Sequence, residues 1–219
     1  MPFNPTYDVY IFDCDGVILD SNQLKINAMA SALRALDFSE EQVQQCSDYL
    51  SQNFGKSRFH HVSYFIEHIL DLNESTDNKT LEQQILERFS SQCQQLYLKA
   101  DITPGYLDFL QSLKGRKYIA SGSAQEELRG VFKARQLDHY FNGIYGSPTA
   151  KTDNIKHILT LEDTKKAIMF GDALSDLDSS LDNQIDFIAY RPYSNVPDKL
   201  TNQSQNNGFI VIDQWAELI

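Results

Sequence analysis

From "ITPGYLDFL" onward the chain repeats one pattern, a short apolar run followed by a longer stretch with helical spacing. The apolar runs are "KYIAS", "GIYG", "KAIMFGD", "DFIAY" and "FIVI", and between them lie stretches such as "AQEELRGVFKARQL" and "TDNIKHILTL". Strands alternating with helices predict a parallel sheet joined by helical crossovers. One further run, about Tyr7 to Asp13, stands alone near the amino terminus and finds partners only among the later strands. The expected fold is α/β, a doubly wound, Rossmann-like parallel sheet whose first strand is separated in sequence from the rest.

What separates them has no strand pattern. Four amphipathic stretches cover approximately residues 22–99. Ile26, Met29, Leu33 and Leu36 recur at helical spacing in the first, and "SEEQVQQCSDYL" opens the second with Ser39 as N-cap and a glutamate in the first turn. Phe59, Val62, Ile66 and Ile69 line one face of the third, and Leu81, Ile85, Phe89 and Cys93 one face of the fourth. The polar segment "STDNK" separates these last two. The expected organisation is a core of residues 1–20 and 100–219 with a four-helix insert at 21–99.

Composition narrows the ligand. With 19 basic and 30 acidic residues, a net charge of -11 counts against nucleic acid, whose phosphates call for a basic surface, and favours a small molecule. The segment "MPFNPTYDVY" has no basic n-region, and no window approaches the roughly 20 apolar residues of a membrane helix. Cys14, Cys46 and Cys93 are odd in number and far apart, which reads as reduced thiols. The expectation is a cytoplasmic protein with no membrane, no nucleic acid and no obligate protein partner.

Open parallel sheets bind ligands beyond the carboxyl ends of their strands. At those ends stand Asp13 and Asp15 in "YIFDCDGVILDS", Ser121 with Gly122, and Asp172 after "KAIMFG"; Lys151 lies in "GSPTAKTDN", just before a helix start. Convergent carboxylates resist joint ionisation unless a cation lies between them. An oxygen donor set suits magnesium, which keeps waters and takes a substrate phosphate, and Lys151 adds a charge for that phosphate. Singly, each residue has a plainer reading as a turn former, a helix cap or a solvated charge. An EF-hand fails, because Gly16 comes too early and Leu24 stands where the bidentate glutamate belongs.

Together these residues resemble a known family. "DCDGVILDS" resembles the first motif of the haloacid dehalogenase-like hydrolases, "IASGS" the second, Lys151 the third and "GDALSD", with Asp172 and Asp176, the fourth. The four occur in order across the core, and the helical insert falls where the family's first type of cap falls. The resemblance implies that Asp13 is a nucleophile and magnesium ligand. It makes Asp15 the acid/base, with its backbone carbonyl on the metal, and Asp172 a further ligand with Asp176 behind it. Ser121, the Gly122 amide and Lys151 would hold the phosphate.

It further implies a phosphatase of the phosphoglycolate phosphatase or β-phosphoglucomutase-like branch, acting on a small phosphorylated metabolite. A sugar-phosphate mutase is the runner-up, although some mutases carry histidine where Lys25 stands, and a catalytically silent ligand-binding member is the third reading. In the insert, Lys25, Lys56 and Arg58 are candidates for a polar or second anionic group of the substrate. His60 and His61 are adjacent and cannot chelate one metal as an i, i+4 pair could, so they receive no role. Thr152 occupies a position where many members have proline, and Cys14 is expected to be a strand residue pointing into the core.

Overall fold

The computed structural model describes residues 6–72 and 77–219. Ser75 and Thr76 of the expected polar linker lie outside the described residues, as does the start of "MPFNPTYDVY". Six strands, β1 (Val9–Phe12), β2 (Arg116–Ala124), β3 (Gly143–Ser147), β4 (Ala167–Gly171), β5 (Asp186–Tyr190) and β6 (Ile210–Ile212), form one sheet in the order β3-β2-β1-β4-β5-β6. All neighbours pair in parallel, with Ile11 opposite both Tyr118 and Met169.

The central strand explains the sequence pattern. Every residue of β1 is buried, because both faces of a parallel sheet are covered and its strands become continuous apolar runs. Successive side chains serve opposite layers. Val9 and Ile11 pack with Ala120, Met169 and Ala189 under α7 (Lys151–Leu161), α8 (Leu174–Asn183) and α9 (Pro197–Asn206). Tyr10 and Phe12 pack on the other face with Ile119 and Phe170, covered by α5 (Tyr106–Ser112) and α6 (Gln125–Ala134). Phe12 stacks on Phe170 at 4.8 Å and Phe109 on Trp215 at 5.1 Å, rigidifying the layer beneath the strand ends.

After β1 the chain turns at Gly16, whose φ is 71°. A Cβ there would strike the Asp172 carboxylate and the Asn22 amide, so glycine is required by both conformation and space. The chain then enters α1 (Asn22–Arg34), α2 (Glu40–Gln52), α3 (Arg58–His68) and α4 (Asn78–Lys99) before returning to the sheet. Ile26, Met29 and Leu33 are buried in α1, and Leu81, Ile85, Phe89 and Cys93 are buried in α4. Ser39 caps α2, accepting from the Gln42 amide while the Gln42 side chain accepts from the Ser39 amide.

The third helix departs from expectation. Its buried face is Arg58, His61, Val62 and Phe65, while Phe59 is 42% exposed. The cause is Arg58, which sits in a core-facing position with its charge matched by Glu127 at 3.0 Å. Hydrophobic periodicity gives no weight to an arginine, so the face it leads was displaced by one residue. Cys14 also differs in detail, lying beyond the end of β1, where its carbonyl accepts from the amides of Ile18 and Leu19. Its side chain is nonetheless buried, as are those of Cys46 and Cys93, all three free. Among the described residues no helix is long and apolar enough to cross a membrane.

Candidate active site

The direction of winding reverses between β1 and β4, and their carboxyl ends open into one crevice. The two ends are tied together where the Asp13 amide donates to the Phe170 carbonyl at 2.9 Å. Carboxylate oxygens of Asp13, Asp172 and Asp176 lie within 4.8 Å of one another, all buried. Lys151 is the first residue of α7 rather than a loop residue preceding it. Its ammonium is 3.2 Å from Asp13 Oδ1 and hydrogen-bonds Asp176 Oδ1. Asp176 Oδ2 accepts from the amides of Asp172 and Ala173 at 3.1 and 3.0 Å, and Asp172 Oδ2 accepts from Asn22 Nδ2 at 2.6 Å.

Three carboxylates against one ammonium leave this cluster two charges negative if all are ionised. Burial, with Asp176 and Asp15 adding to it against the pull of Lys151, raises Asp13 well above the usual carboxylate range. Burial and the neighbouring Asp176 and Asp13 raise Asp172 likewise. Lys151 is raised as well, because its burial is outweighed by Asp13 and Asp176, which hold it protonated. Asp172 Oδ1 is buried and accepts no hydrogen bond, and Asp13 Oδ1 has only the Lys151 ammonium beside it, at 3.2 Å. Excess negative charge, oxygen donors and the unpartnered Asp172 Oδ1 fit a hard divalent cation.

Asp15 belongs to a separate network. Its Oδ1 accepts from Ser21 at 2.6 Å, and Oδ2 accepts from Lys25 at 2.9 Å, Ser123 at 2.8 Å and Tyr97 at 3.1 Å. Burial alone would raise this carboxyl, but the Lys25 ammonium and the hydroxyls overcome it and hold Asp15 below the usual range. Lys25 also donates to Ser123 at 2.8 Å, and Asp15 keeps it charged despite its burial. The two aspartates one residue apart therefore answer to different cations, Asp13 to Lys151 and Asp15 to Lys25.

Ser121 is buried within β2, three residues before its last, and its Oγ accepts from the Ser123 amide at 3.2 Å. Beside it, Gly122 is packed against the carbonyls of Gly55 and Lys56, leaving no room for a Cβ. This contact seats the α2–α3 loop on the sheet end, and Ser175 Oγ, donating to the Phe54 carbonyl at 3.3 Å, holds it from the α8 side. A cleft of about 280 Å³ opens here over Lys151, Ser175 and Gly122. On the other side of the Gly122 contact, a small cavity of about 10 Å³ is lined by Lys25, Phe54, Arg58, His61, Phe89 and Ser123.

The insert residues fall on both cavities. Arg58 pairs with Glu127, donates to Ser90 and lies over the Phe89 ring, centred 5.0 Å away. Lys56 is exposed and donates to Asn53 Oδ1 at 3.2 Å. His60 lies on the surface with Nε2 3.0 Å from the Tyr49 hydroxyl, and Thr152 donates to Ser179 Oγ at 3.1 Å. Four neighbours of these groups went unread in the sequence. Asn22 and Ser123 stand close to the first and second motifs and were within reach of a finer reading, whereas Tyr97 and Glu127 are delivered by helices with no local signal.

His61 is buried, and that burial, reinforced by His60, Lys25 and Lys56, pushes its imidazole down to about 3. A histidine whose folded value lies below its unfolded 6.5 stabilises the fold above pH 6.5 and loses that contribution as pH falls towards 3. At ~1.4 kcal/mol per pH unit, the chain should lose about 2 kcal/mol between pH 7 and pH 5 from this group. Urea unfolding at the two pH values should show His61→Gln losing less by about that amount. Equal losses in the two proteins would refute the assignment.

A family model for haloacid dehalogenase-like hydrolases matches residues 10–190. No curated protein sequence matches the chain. Among solved structures, a predicted phosphatase from Clostridium acetobutylicum is 20% identical, covering 97% of this chain and 96% of its own at a TM-score of 0.75. A predicted phosphoglycolate phosphatase from Haemophilus somnus is 15% identical with the same coverages at 0.74. CbbY from Rhodobacter sphaeroides, in complex with xylulose-(1,5)bisphosphate, is 18% identical with the same coverages at 0.71. At these identities the likeness is one of fold.

Proposed function

The chain belongs to the haloacid dehalogenase-like hydrolases, and within that family we propose that it is a magnesium-dependent phosphatase acting on a small phosphorylated metabolite. The observation that carries this reading is the pair of separate networks at one strand end. Asp13 is aligned by the Lys151 ammonium at 3.2 Å, while Asp15 is held apart in a set of proton donors. That division matches a nucleophile and an acid/base serving the same phosphorus.

An oxygen of Asp13 attacks phosphorus, forming the acyl phosphate as the ester P–O bond breaks, and Asp15 gives its proton to the departing alkoxide. Water then attacks the acyl phosphate, Asp15 takes its proton, and inorganic phosphate leaves with Asp13 restored. Lys151, Ser121 and the Gly122 amide hold the phosphoryl oxygens throughout. Asp13 and Asp172, with the backbone carbonyl of Asp15, would hold Mg2+, which when bound neutralises charge on the phosphoryl group.

The Asp15 network has members on both sides of the cleft. Lys25 on α1 and Tyr97 on α4 come from the insert, whereas Ser123 comes from the sheet. We take residues 21–99 to act as a cap that parts from the core to admit substrate. As seen, the network holds Asp15 as the carboxylate that deprotonates water. Parting withdraws Lys25 and lets Asp15 carry the proton that the first half of the reaction uses. A panel of phosphate esters should release inorganic phosphate with magnesium and not after chelation. An isomerised sugar phosphate in place of released phosphate would identify a mutase, and no turnover of any ester would overturn the reading.

A further inference from the structure

The small cavity between α1, α3 and the end of β2 shares Gly55, Lys56 and Gly122 with the cleft over Lys151, so the part of a substrate beyond its phosphate can reach it. Its walls are Met29, Leu50, Phe54 and Phe89, interrupted by the polar side chains of Lys25, Lys56, Arg58, His61 and Ser123. The two buried cations among them are already matched: Lys25 by Asp15 at 2.9 Å and Arg58 by Glu127 at 3.0 Å. His61 is neutral, its imidazole held far below its ordinary value by burial. Lys56, the remaining cation on the lining, is exposed and donates to an uncharged amide oxygen.

A second anionic group brought into this space would lose its water and meet ion pairs already satisfied, with the Asp15 carboxylate close by to repel it. The polar atoms left over are of a different kind. Arg58 Nε and His61 Nδ1 are buried and have no hydrogen-bond partner. Arg58 Nε is a fixed donor and the neutral His61 Nδ1 donates or accepts with its tautomer, so a hydroxyl, which does both, suits either state. The cavity volume of about 10 Å³ holds a group no larger than one water.

We infer that the substrate carries, beyond its phosphate, an uncharged hydroxyl-bearing group that is recognised between Arg58 and His61, and not a carboxylate or a second phosphate. This rests on the phosphatase reading above and adds the substrate class to it. Hydroxyethyl phosphate, ethyl phosphate and phosphoglycolate differ only in the distal group and isolate its contribution.

With magnesium present, kcat/KM for hydroxyethyl phosphate should exceed that for each of the other two by at least about tenfold, since a site built to bond a hydroxyl rejects analogues that leave its polar atoms unpaired. Glu127→Gln frees the Arg58 charge and should raise the ratio of phosphoglycolate to hydroxyethyl phosphate by about tenfold or more. His61→Leu should bring the ratio of hydroxyethyl to ethyl phosphate towards one. Preference of the unaltered protein for phosphoglycolate or for the plain alkyl ester overturns the inference while leaving the phosphatase reading standing. A folded Glu127→Gln with unchanged ratios also overturns it. If none of these esters nor any in a wider panel is turned over, the phosphatase reading itself falls and takes the inference with it.

Discussion

Asp13→Asn should lower magnesium-dependent phosphate release on the order of 10⁴-fold or more while leaving the fold at least as stable as before. The catalytic half follows from chemistry: a neutral amide has no oxygen able to displace an alkoxide from phosphorus, and no other described carboxylate replaces it. Asp172 is held by Asn22 and Asp176 by Lys151 and two amides, so neither can swing into its place. The stability half follows from electrostatics. Asparagine has nearly the same shape, and removing one of three buried carboxylates that share one ammonium relieves like-charge repulsion. Lys151 keeps Asp176 as its partner, so the substitution leaves no unpaired buried cation. Kinetics on an aryl phosphate and urea unfolding decide both halves. Activity within tenfold of the unaltered protein would remove Asp13 from the mechanism. A loss of several kcal/mol in stability would contradict the charge imbalance described here.

The strand ends were legible because a parallel sheet buries both faces of its strands. Apolar runs such as "KAIMFG" therefore stop where the backbone leaves the core, and the polar residue that follows each is at the ligand-binding edge. Asp13, Ser121, Lys151 and Asp172 come to one end of the sheet for that reason. The helices of the insert were legible wherever burial is apolar, as along Leu81, Ile85, Phe89 and Cys93. They were misread where it is not. A buried arginine matched to a glutamate sixty-nine residues away leaves no periodic trace, so the face of α3 is displaced and the ion pair that occupies Arg58 is not legible. The pairing of Lys25 is hidden in the same way. Its partner Asp15 lies close in sequence, but the ion pair depends on where α1 sets out, which is a property of the turn at Gly16 rather than of either charged residue.

Lys151→Met should cost the fold about 3 kcal/mol in the absence of divalent cations, and magnesium should restore a measurable part of that loss. The lysine is the only side-chain cation within ion-pairing distance of Asp13 or Asp176 among the described residues, and its own side chain is 5% exposed. Removing one partner of a buried ion pair leaves an uncompensated charge, typically costing ~3–5 kcal/mol, and here part of that is recovered by protonation because Asp13 and Asp172 are already displaced upwards. A cation held by the same carboxylates stabilises the folded chain by mass action, in proportion to the logarithm of its concentration over its dissociation constant. The unfolding midpoint of Lys151→Met should therefore rise more steeply with added magnesium than that of the unaltered protein, which already carries one compensating charge. Activity should stay depressed by roughly 10²-fold or more even at saturating magnesium, since the metal replaces the charge but not the donor aimed at the phosphoryl oxygen. An unfolding midpoint insensitive to magnesium in both proteins would show that these carboxylates do not form a cation site, and full rescue of activity by the metal would remove Lys151 from phosphate binding.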